Sequence, residues 1–493
     1  VGFVMRSPER LGDSRDEDDE VTNPDLPWVS RKIFTHRSSI FDIHQTEQGL
    51  SRNPLKGFFH LAGIMFVFYI IAQNVLSLKK TGVVAGSENL WYIGESVIEV
   101  IPALLSLVAF SYLAPLIQWL MFKGMPVGVV IFCRVIIQTV LFWGTCWFLW
   151  VREDWPLSQT TFILLEMFCF SLKIHSYFDV NWYLHEEMVE SQKNGEKLPE
   201  KEYEYPNNIT IKNWFYFLCF PTLVYTTRYP RTKSIRFWYM VEKIFSCLCA
   251  FSFMHIIIAD KIQPIWTRPD LYDPVEAIVL LFVPVTVLYL ATFYITFEPI
   301  LNGFAEITRY GDREFYEDWW NSTTWDEFAR KWNKQVHVWA MCHCYLPLIQ
   351  RRKMSKTVAG ILTFFISSVM HEFALFMVFR ILRPWIFILQ MAQVPLIIMG
   401  QNMKGTFLGN VLFWFGIVFG PPLISILYTR EYYLLRMEGY DQDNSSSALS
   451  VLPLMITLMA AGFLFVWVVS RRNTAKEKAT SPLVPRKKEE KKE

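Results

Sequence analysis

Long apolar runs that carry almost no charge recur along the 493-residue chain. Each run is about as long as a helix that crosses a hydrocarbon layer of roughly 30 Å. Hydrophobic residues make up 52% of the chain and aromatic residues 16%, which is more than a soluble globular protein shows. The sequence therefore predicts an all-α, polytopic membrane protein with one membrane domain. The runs lie at roughly 57–78, 98–121, 127–150, 158–180, 237–260, 276–299, 357–379, 382–400, 406–428 and 451–470.

The distribution of charge predicts how the chain is oriented. Two long loops, 185–235 and 300–356, are rich in Lys and Arg, and the bias of such loops toward the cytosol places both on that side. A net charge of +2 leaves no basic surface of the size a nucleic-acid partner needs. The predicted divisions are a largely disordered cytosolic arm at 1–55, the membrane domain at 56–430, a lumenal loop at 431–450, a candidate extra span at 451–470 and a basic tail at 471–493.

The eight cysteines lie in or beside apolar segments. This placement favours small buried residues over a disulfide framework. The run Cys342-His343-Cys344 contains metal-ligand residue types, but no second ligand pair follows at zinc spacing. We therefore expect no metal site.

The apolar run from Thr357 to Phe379 contains two ionisable side chains, His371 and Glu372. A charged form there costs on the order of 2–3 kcal/mol, so such residues usually face a protein interior or an aqueous cavity. Ser367 lies one helical turn earlier, on the face of His371. His371 is interpreted either as a general base for a lipid alcohol or as a hydrogen-bonding partner of a neighbouring helix. A transporter, with His371 and Glu372 on a proton pathway, is a third interpretation.

The loop 300–356 carries a second constellation, within helical patterns typical of the membrane interface. It reads Phe315-Tyr316-Glu317-Asp318-Trp319-Trp320-Asn321, followed by Trp332-Asn333 and by His337. The string resembles the motif F-Y-x-D-W-W-N of the membrane-bound O-acyltransferase family, in the branch that acts on sterols and diacylglycerol. Six fixed positions, most of them aromatic, are a specific signal.

The resemblance extends over about 57–430 and includes Ser367–Glu372 and His175-Ser176-Tyr177. The stretches 205–233 and 302–337 are most similar to the fungal sterol acyltransferases. The resemblance implies the fold of that family, here with nine to ten transmembrane helices plus interfacial helices, assembled as a homodimer or higher homo-oligomer.

The resemblance also implies a function. It indicates a multi-pass enzyme of the endoplasmic reticulum membrane that transfers a fatty acyl group from acyl-CoA to a sterol hydroxyl and so forms steryl esters. The partners implied are fatty acyl-CoA as co-substrate, a sterol and membrane lipids, with no bound cofactor. Diacylglycerol is the alternative acceptor, because the choice depends on the shape of the acceptor pocket.

Acyl transfer needs a base near the attacking hydroxyl and a donor for the developing oxyanion. His371 suits the first role, and a neutral amide such as that of Asn333 suits the second without bringing charge into the membrane. The resemblance supports both catalytic assignments. The residues predicted to bind acyl-CoA or substrate are Phe315, Tyr316, Asp318, Trp319, Trp320, Asn321, Arg330, Trp332, His337, Tyr345 and Ser367.

Two further expectations concern charge. Arg330, Lys331 and Lys334 are expected near the phosphates of CoA, although a solvated interface explains each of them equally well. Asp318 is expected to accept hydrogen bonds from the backbone or from Arg313.

Overall fold

The computed structural model describes residues 37, 39–40, 56–84, 87–195, 204–394, 397 and 404–437. In these ranges the secondary structure is helical apart from two isolated β-bridges, which confirms the all-α prediction for the described residues. The predicted tail and the candidate span 451–470 lie outside the described residues, as do most of 1–55 and the part of 431–450 beyond Met437.

The helices are numbered in chain order. They are α1 Lys56–Thr81, α2 Ser87–Ser111, α3 Leu113–Phe122, α4 Val127–Val151, α5 Leu157–Lys193, α6 Ile211–Cys219, α7 Phe237–Ile257, α8 Gln263–Trp266, α9 Pro274–Ile295, α10 Leu301–Thr308, α11 Trp325–Lys331, α12 Lys334–Ala340, α13 Leu346–Gln350, α14 Lys356–Phe379, α15 Trp385–Met391 and α16 Phe407–Met437. Wider helical turns at Ile258–Ile262, Thr296–Ile300 and Met341–Tyr345 make α7–α8, α9–α10 and α12–α13 nearly continuous.

In the described part of the chain, seven helical segments are long and apolar enough to cross a membrane. They are Val97–Phe122, Val127–Val151, Leu157–Lys193, Phe237–Trp266, Pro274–Thr308, Lys356–Phe379 and Phe407–Arg436. Each coincides with a run predicted from the sequence, and α1 coincides with the run at 57–78. The count of nine to ten spans stays a prediction.

The run predicted as a span at 382–400 is described up to Val394 and at Ile397. Its first residues continue the non-helical backbone of Arg380 to Pro384, and it is helical at Trp385–Met391 and again at Gln393, Val394 and Ile397. Arg380 ends α14 in a left-handed conformation (φ 58°), and the pyrrolidine ring of Pro384 disfavours helical backbone at the residue before it. The described helix thus begins at Trp385, and its length as a span stays a prediction.

Helices α2 to α5 and α14 share one hydrophobic core. In it, Phe142 of α4 stacks on Phe373 of α14 with ring centroids 5.3 Å apart. The core also holds a charge, because the Lys173 ammonium donates to the carbonyl oxygens of Phe217, Leu218 and Phe220 at 2.8–2.9 Å. Lys173 thereby satisfies carbonyls left unpaired at the C-terminal end of α6 and fixes α6 to α5.

An antiparallel hairpin positions the two candidate catalytic residues. The helix from α12 to α13 turns back at residues 351–355 into α14, whose start is capped by Ser355. The ring of Tyr345 packs beside Gly360 at the base of this hairpin. At about 1.5 Å per residue, His371 lies about 16 Å along α14 from that contact, and Asn333 lies about 18 Å away along the returning helix. Counted along their helices, the two residues thus lie at similar distances from that contact.

Candidate active site

His371 is held by its own helix. Its Nδ1 lies 2.7 Å from the carbonyl oxygen of Ser367. A carbonyl only accepts, so Nδ1 carries the hydrogen, and the Nε2 of a neutral ring is then an acceptor. The side chain is exposed in the structure. Its Nε2 can therefore take a proton from an incoming hydroxyl. Ser367, predicted to share the face of His371, contacts it through the backbone carbonyl.

Glu372 points away from this face and is buried. One of its carboxylate oxygens accepts from the Tyr428 hydroxyl at 2.8 Å, and the other accepts from the Phe387 amide at 3.1 Å. The two contacts join α14 to α16 and α15. Glu372 thus fixes the rotation of α14, and with it the direction of His371, rather than continuing a proton path from the imidazole.

Asn333 is the N-cap residue of α12. Its Oδ1 accepts from the Val336 amide at 3.2 Å, which satisfies one of the unpaired donors at the helix start. Because the oxygen is used by the cap, the Nδ2 group is left as the donor. The next residue, Lys334, donates its amide to the Phe315 carbonyl at 3.0 Å. That bond ties the start of α12 directly to the aromatic motif.

The motif itself is mostly core. Phe315, Tyr316 and Trp319, predicted to bind substrate, are each 1% exposed. Trp319 lies with its ring centroid 4.8 Å from that of Trp332, and Trp332 stacks on Tyr289 at 4.7 Å. In the described structure these aromatic residues pack in the core beside the loop on which Asn333 sits, and their part in substrate binding stays a prediction.

The remaining predicted residues lie around this core. Trp320 accepts through its carbonyl from Trp414, and Asn321 is exposed. His337 lies one turn beyond Asn333 on α12, and burial lowers the pKa of its imidazole to about 4. Tyr345 is far from Asn333, at the base of the hairpin.

The three cations expected to meet phosphate are paired with carboxylates. Arg330 donates to Asp326 at 2.5 Å, and the Lys331 ammonium lies 2.9 Å from Asp318. The third, Lys334, donates to two glutamates at 2.6 Å. These pairs balance charge along one face of the loop.

We expected Asp318 to accept hydrogen bonds from the backbone or from Arg313, but its carboxylate does not pair with Arg313. Its carboxylate binds Lys331 and Asn321, while Arg313 donates to Glu306 at 2.5 Å. Partial burial acts to raise the pKa of Asp318, but the hydrogen bonds from Lys331, Asn321 and the backbone, together with the charge of Lys331, outweigh it and lower that pKa. The structural role expected for Asp318 therefore involves a different partner.

Sequence reasoning missed a buried carboxylate behind the motif. Glu298 is 1% exposed and accepts from the hydroxyls of Tyr316, at 2.7 Å, and Ser39. The ammonium of Lys243 lies 3.4 Å from its other oxygen. An acidic residue inside an apolar run was the available signal. The network connects α7, α9–α10, the motif and a residue of the N-terminal arm.

Replacing Tyr316 by Phe tests whether this network stabilises the motif. The variant leaves buried Glu298 with one donor fewer, so we expect it to be less stable by about 1.5–3 kcal/mol and to melt at a lower temperature in detergent. Tyr433→Phe is the control, because that hydroxyl has no hydrogen bond among the described residues. Equal melting temperatures for the two variants would show that the bond to Glu298 contributes little.

Metal-ligand residue types meet at one place among the described residues, where ligand atoms of His175, Asp179 and His343 lie within 4.8 Å of one another. The guanidinium of Arg134 already binds Asp179, and its Nη2 also faces His175 Nδ1 at 3.5 Å. Arg134 therefore supplies the positive charge that a metal ion would bring, and we assign no metal here.

The helical fold of the described residues agrees with comparisons to known proteins. The model of the MBOAT family, membrane-bound O-acyltransferases, matches residues 70–429. The chain belongs to this family. It is 39% identical over 253 residues to sterol O-acyltransferase 2 of Saccharomyces uvarum, covering 48% of this chain and 39% of the relative.

Other relatives carry a second name. Diacylglycerol O-acyltransferase 1 of Dictyostelium discoideum is 36% identical over 311 residues, covering 60% of this chain and 49% of that protein. Diacylglycerol O-acyltransferase 1C of Glycine max is 31% identical over 422 residues, covering 83% and 81%. The chain thus spans 39% to 49% of the length of the first relatives it matches.

Proposed function

We propose that the protein transfers a fatty acyl group from acyl-CoA to the 3-hydroxyl of a sterol, and that the product is a steryl ester. One observation carries the proposal: the hydrogen bond from His371 Nδ1 to the Ser367 carbonyl leaves Nε2 as a base. Asn333 and His371 lie at similar distances along their helices from the contact of Tyr345 with Gly360. The membership of the chain in the acyltransferase family and the names of its sterol-type relatives support the reaction class.

The proposed reaction is a direct transfer. His371 Nε2 takes the proton of the acceptor hydroxyl as its oxygen attacks the thioester carbonyl. The Nδ2 group of Asn333 donates to the oxyanion that develops there. The carbon–sulfur bond then breaks, and the CoA thiolate leaves with the proton held by His371. Every proton is accounted for without an acyl-enzyme, and trapping an acyl group on a serine or cysteine of the protein would overturn this route.

The site is proposed to lie in the endoplasmic reticulum membrane, in a homodimer or higher homo-oligomer, with acyl-CoA entering from the cytosolic side. The proposed acceptor is a sterol. Diacylglycerol is the second candidate, because the Glycine max relative named for it aligns over 83% of this chain. Only the acceptor differs between the two reactions, so His371 and Asn333 would have the same roles in both.

Expression in cells that make neither steryl esters nor triacylglycerol tests the function. With labelled oleate supplied, we expect labelled steryl ester to accumulate in cells that express the full chain. His371→Ala, produced at the same level, is the control for background synthesis. If the label appeared in triacylglycerol alone, diacylglycerol would replace the sterol as the proposed acceptor. If neither product were labelled, acyl transfer to both acceptors would be overturned.

Arg330→Gln tests contact with the CoA phosphates. Its ion pair with Asp326 is partly exposed, so the fold should tolerate the loss. We expect the KM for acyl-CoA to rise about three- to tenfold at low salt, with a smaller rise at high salt because ions screen the contact, while kcat changes little. Arg268→Gln, which removes an exposed pair with Asp270, is the matched control. A KM equal in both variants would remove Arg330 from the binding site.

A further inference from the structure

His343 belongs to a hydrogen-bond network that the proposed reaction does not use. It lies in the wide turn between α12 and α13, and its side chain is fully buried against α5. Its Nε2 is 2.9 Å from the Ser176 hydroxyl, and its Nδ1 is 3.3 Å from a carboxylate oxygen of Asp179. The imidazole thus bridges two residues one turn apart on α5.

One arrangement of protons gives Ser176, His343 and Asp179 each a hydrogen-bond partner of the right kind. The amide of Tyr225 donates to Ser176 Oγ at 2.8 Å, so the Ser176 hydroxyl hydrogen is available for His343 Nε2. The Nδ1–H of His343 then donates to Asp179. Burial lowers the pKa of His343 to about 4, which keeps the ring in this neutral form at physiological pH. The ring is therefore a fixed connector with both nitrogens used.

A second contact lies one turn earlier on the same helix. The indole of Trp339 donates to the Leu172 carbonyl at 3.0 Å, and its ring packs 5.1 Å from that of His343 and 5.5 Å from that of His175. Contacts at positions four residues apart lie on one helix face. Together they determine how the helix that begins at Asn333 is rotated against α5.

The charge of Asp179 is balanced on its other side. Arg134 of α4 binds its second oxygen, and His175 Nε2 lies 3.2 Å from the oxygen that also faces His343. The carboxylate is thus held by groups from α4, α5 and the turn after α12. Because a bond to an ionised group is stronger than one between neutral groups, the contact between His343 and Asp179 should stabilise the turn more than the contact with Ser176.

We propose that His343 is a positioning residue, which holds the helix of Asn333 in the rotation that directs its amide toward the acyl carbonyl. Among the contacts of the described residues, the network reaches Asn333 through the helix that Asn333 caps. The effect of His343 on catalysis rests on the proposed function. Its effect on the stability of α12 can be measured separately.

Hydrogen–deuterium exchange tests the structural part without any substrate. In the purified full chain, His343→Leu should raise amide exchange at least about tenfold in α12, and leave α9 unchanged, since the loss is local. Cys344→Ala, in the same turn, is the control and should leave α12 protected. Unchanged protection of α12 in His343→Leu would overturn the proposal, whatever the protein catalyses.

Substitutions that keep one nitrogen separate positioning from space filling. The amide of Asn can reach Asp179 in place of Nδ1, and that of Gln can reach Ser176 in place of Nε2. We expect kcat to fall about tenfold or more in His343→Leu and least in His343→Asn, with the KM for acyl-CoA within twofold of the original. Equal loss in the Leu, Asn and Gln variants would show that His343 only fills space.

A double-variant cycle tests whether His343 acts through Asn333. If it does, His343→Leu should lower kcat by less than about twofold once Asn333→Asp is present, because residues that act as a unit are not additive. If kcat of the double variant fell by the product of the falls in the two single variants, positioning through Asn333 would be contradicted. If the unaltered protein transfers no acyl group at all, the proposed function fails, and the exchange experiment still decides the role of His343 in the fold.

Discussion

His371→Ala is expected to lower kcat for acyl transfer by about 10²- to 10⁴-fold, the range that general bases contribute, with little change in the KM for acyl-CoA. The physical reason is the direction of its one described hydrogen bond: Nδ1 donates to the Ser367 carbonyl, and Nε2 is left to accept. Initial rates on the purified full chain in lipid nanodiscs, over a range of acyl-CoA concentrations, measure both constants.

The fold should survive this change, because the imidazole is exposed and bonds within its own helix. Glu372→Ala is the matched contrast on the adjacent position. It removes the carboxylate that accepts from both Tyr428 and Phe387. We therefore expect a lower melting temperature in Glu372→Ala and an unchanged melting temperature in His371→Ala. An alanine variant at 371 that keeps full activity would remove the general base from the mechanism.

Asn333→Asp is expected to lower kcat by about 10²- to 10³-fold, the cost of losing one oxyanion donor. Asp keeps an oxygen for the Val336 amide and is itself a good N-cap residue, so α12 should remain folded. Asn333→Ala loses both the donor and the cap, which adds a destabilisation of about 0.5–2 kcal/mol. Steady-state kinetics and thermal melting of the two variants separate the chemical effect from the structural one.

The control for capping lies one helix earlier. Thr324 caps α11 by accepting from the Glu327 amide at 3.2 Å, and it has no proposed part in catalysis. Thr324→Ala should therefore lose stability as Asn333→Ala does, yet retain kcat within about threefold. If Thr324→Ala lost as much activity as Asn333→Asp, the effect at Asn333 would have to be attributed to the loop rather than to its amide.

The spans and the motif were readable from the sequence because their signals are local. Length and apolar composition located the seven candidate spans, and helix periodicity placed Ser367 on the face of His371. The helix in the run at 382–400 begins at Trp385 rather than at 382, because Arg380 and Pro384 interrupt helical backbone there.

The partners of charged and polar residues were not readable, because they lie far away along the chain. Glu298 meets Ser39, 259 positions earlier, and His343 meets Asp179, 164 positions earlier. The burial of Phe315 and Tyr316 was not readable either, because an aromatic motif at the interface looks alike whether its rings are exposed or packed in the core. Tyr316 packs on Phe293, and substrate binding by the two residues stays a prediction.

A competition between acceptors in one membrane is the most direct test of the proposed reaction. The full chain is placed in nanodiscs that hold a sterol and diacylglycerol at equal mole fraction, labelled oleoyl-CoA is added, and the esters are separated. We expect steryl ester to be the main labelled product, and to be lost in His371→Ala. Triacylglycerol as the main product, or equal ester formation by the two proteins, would contradict this account.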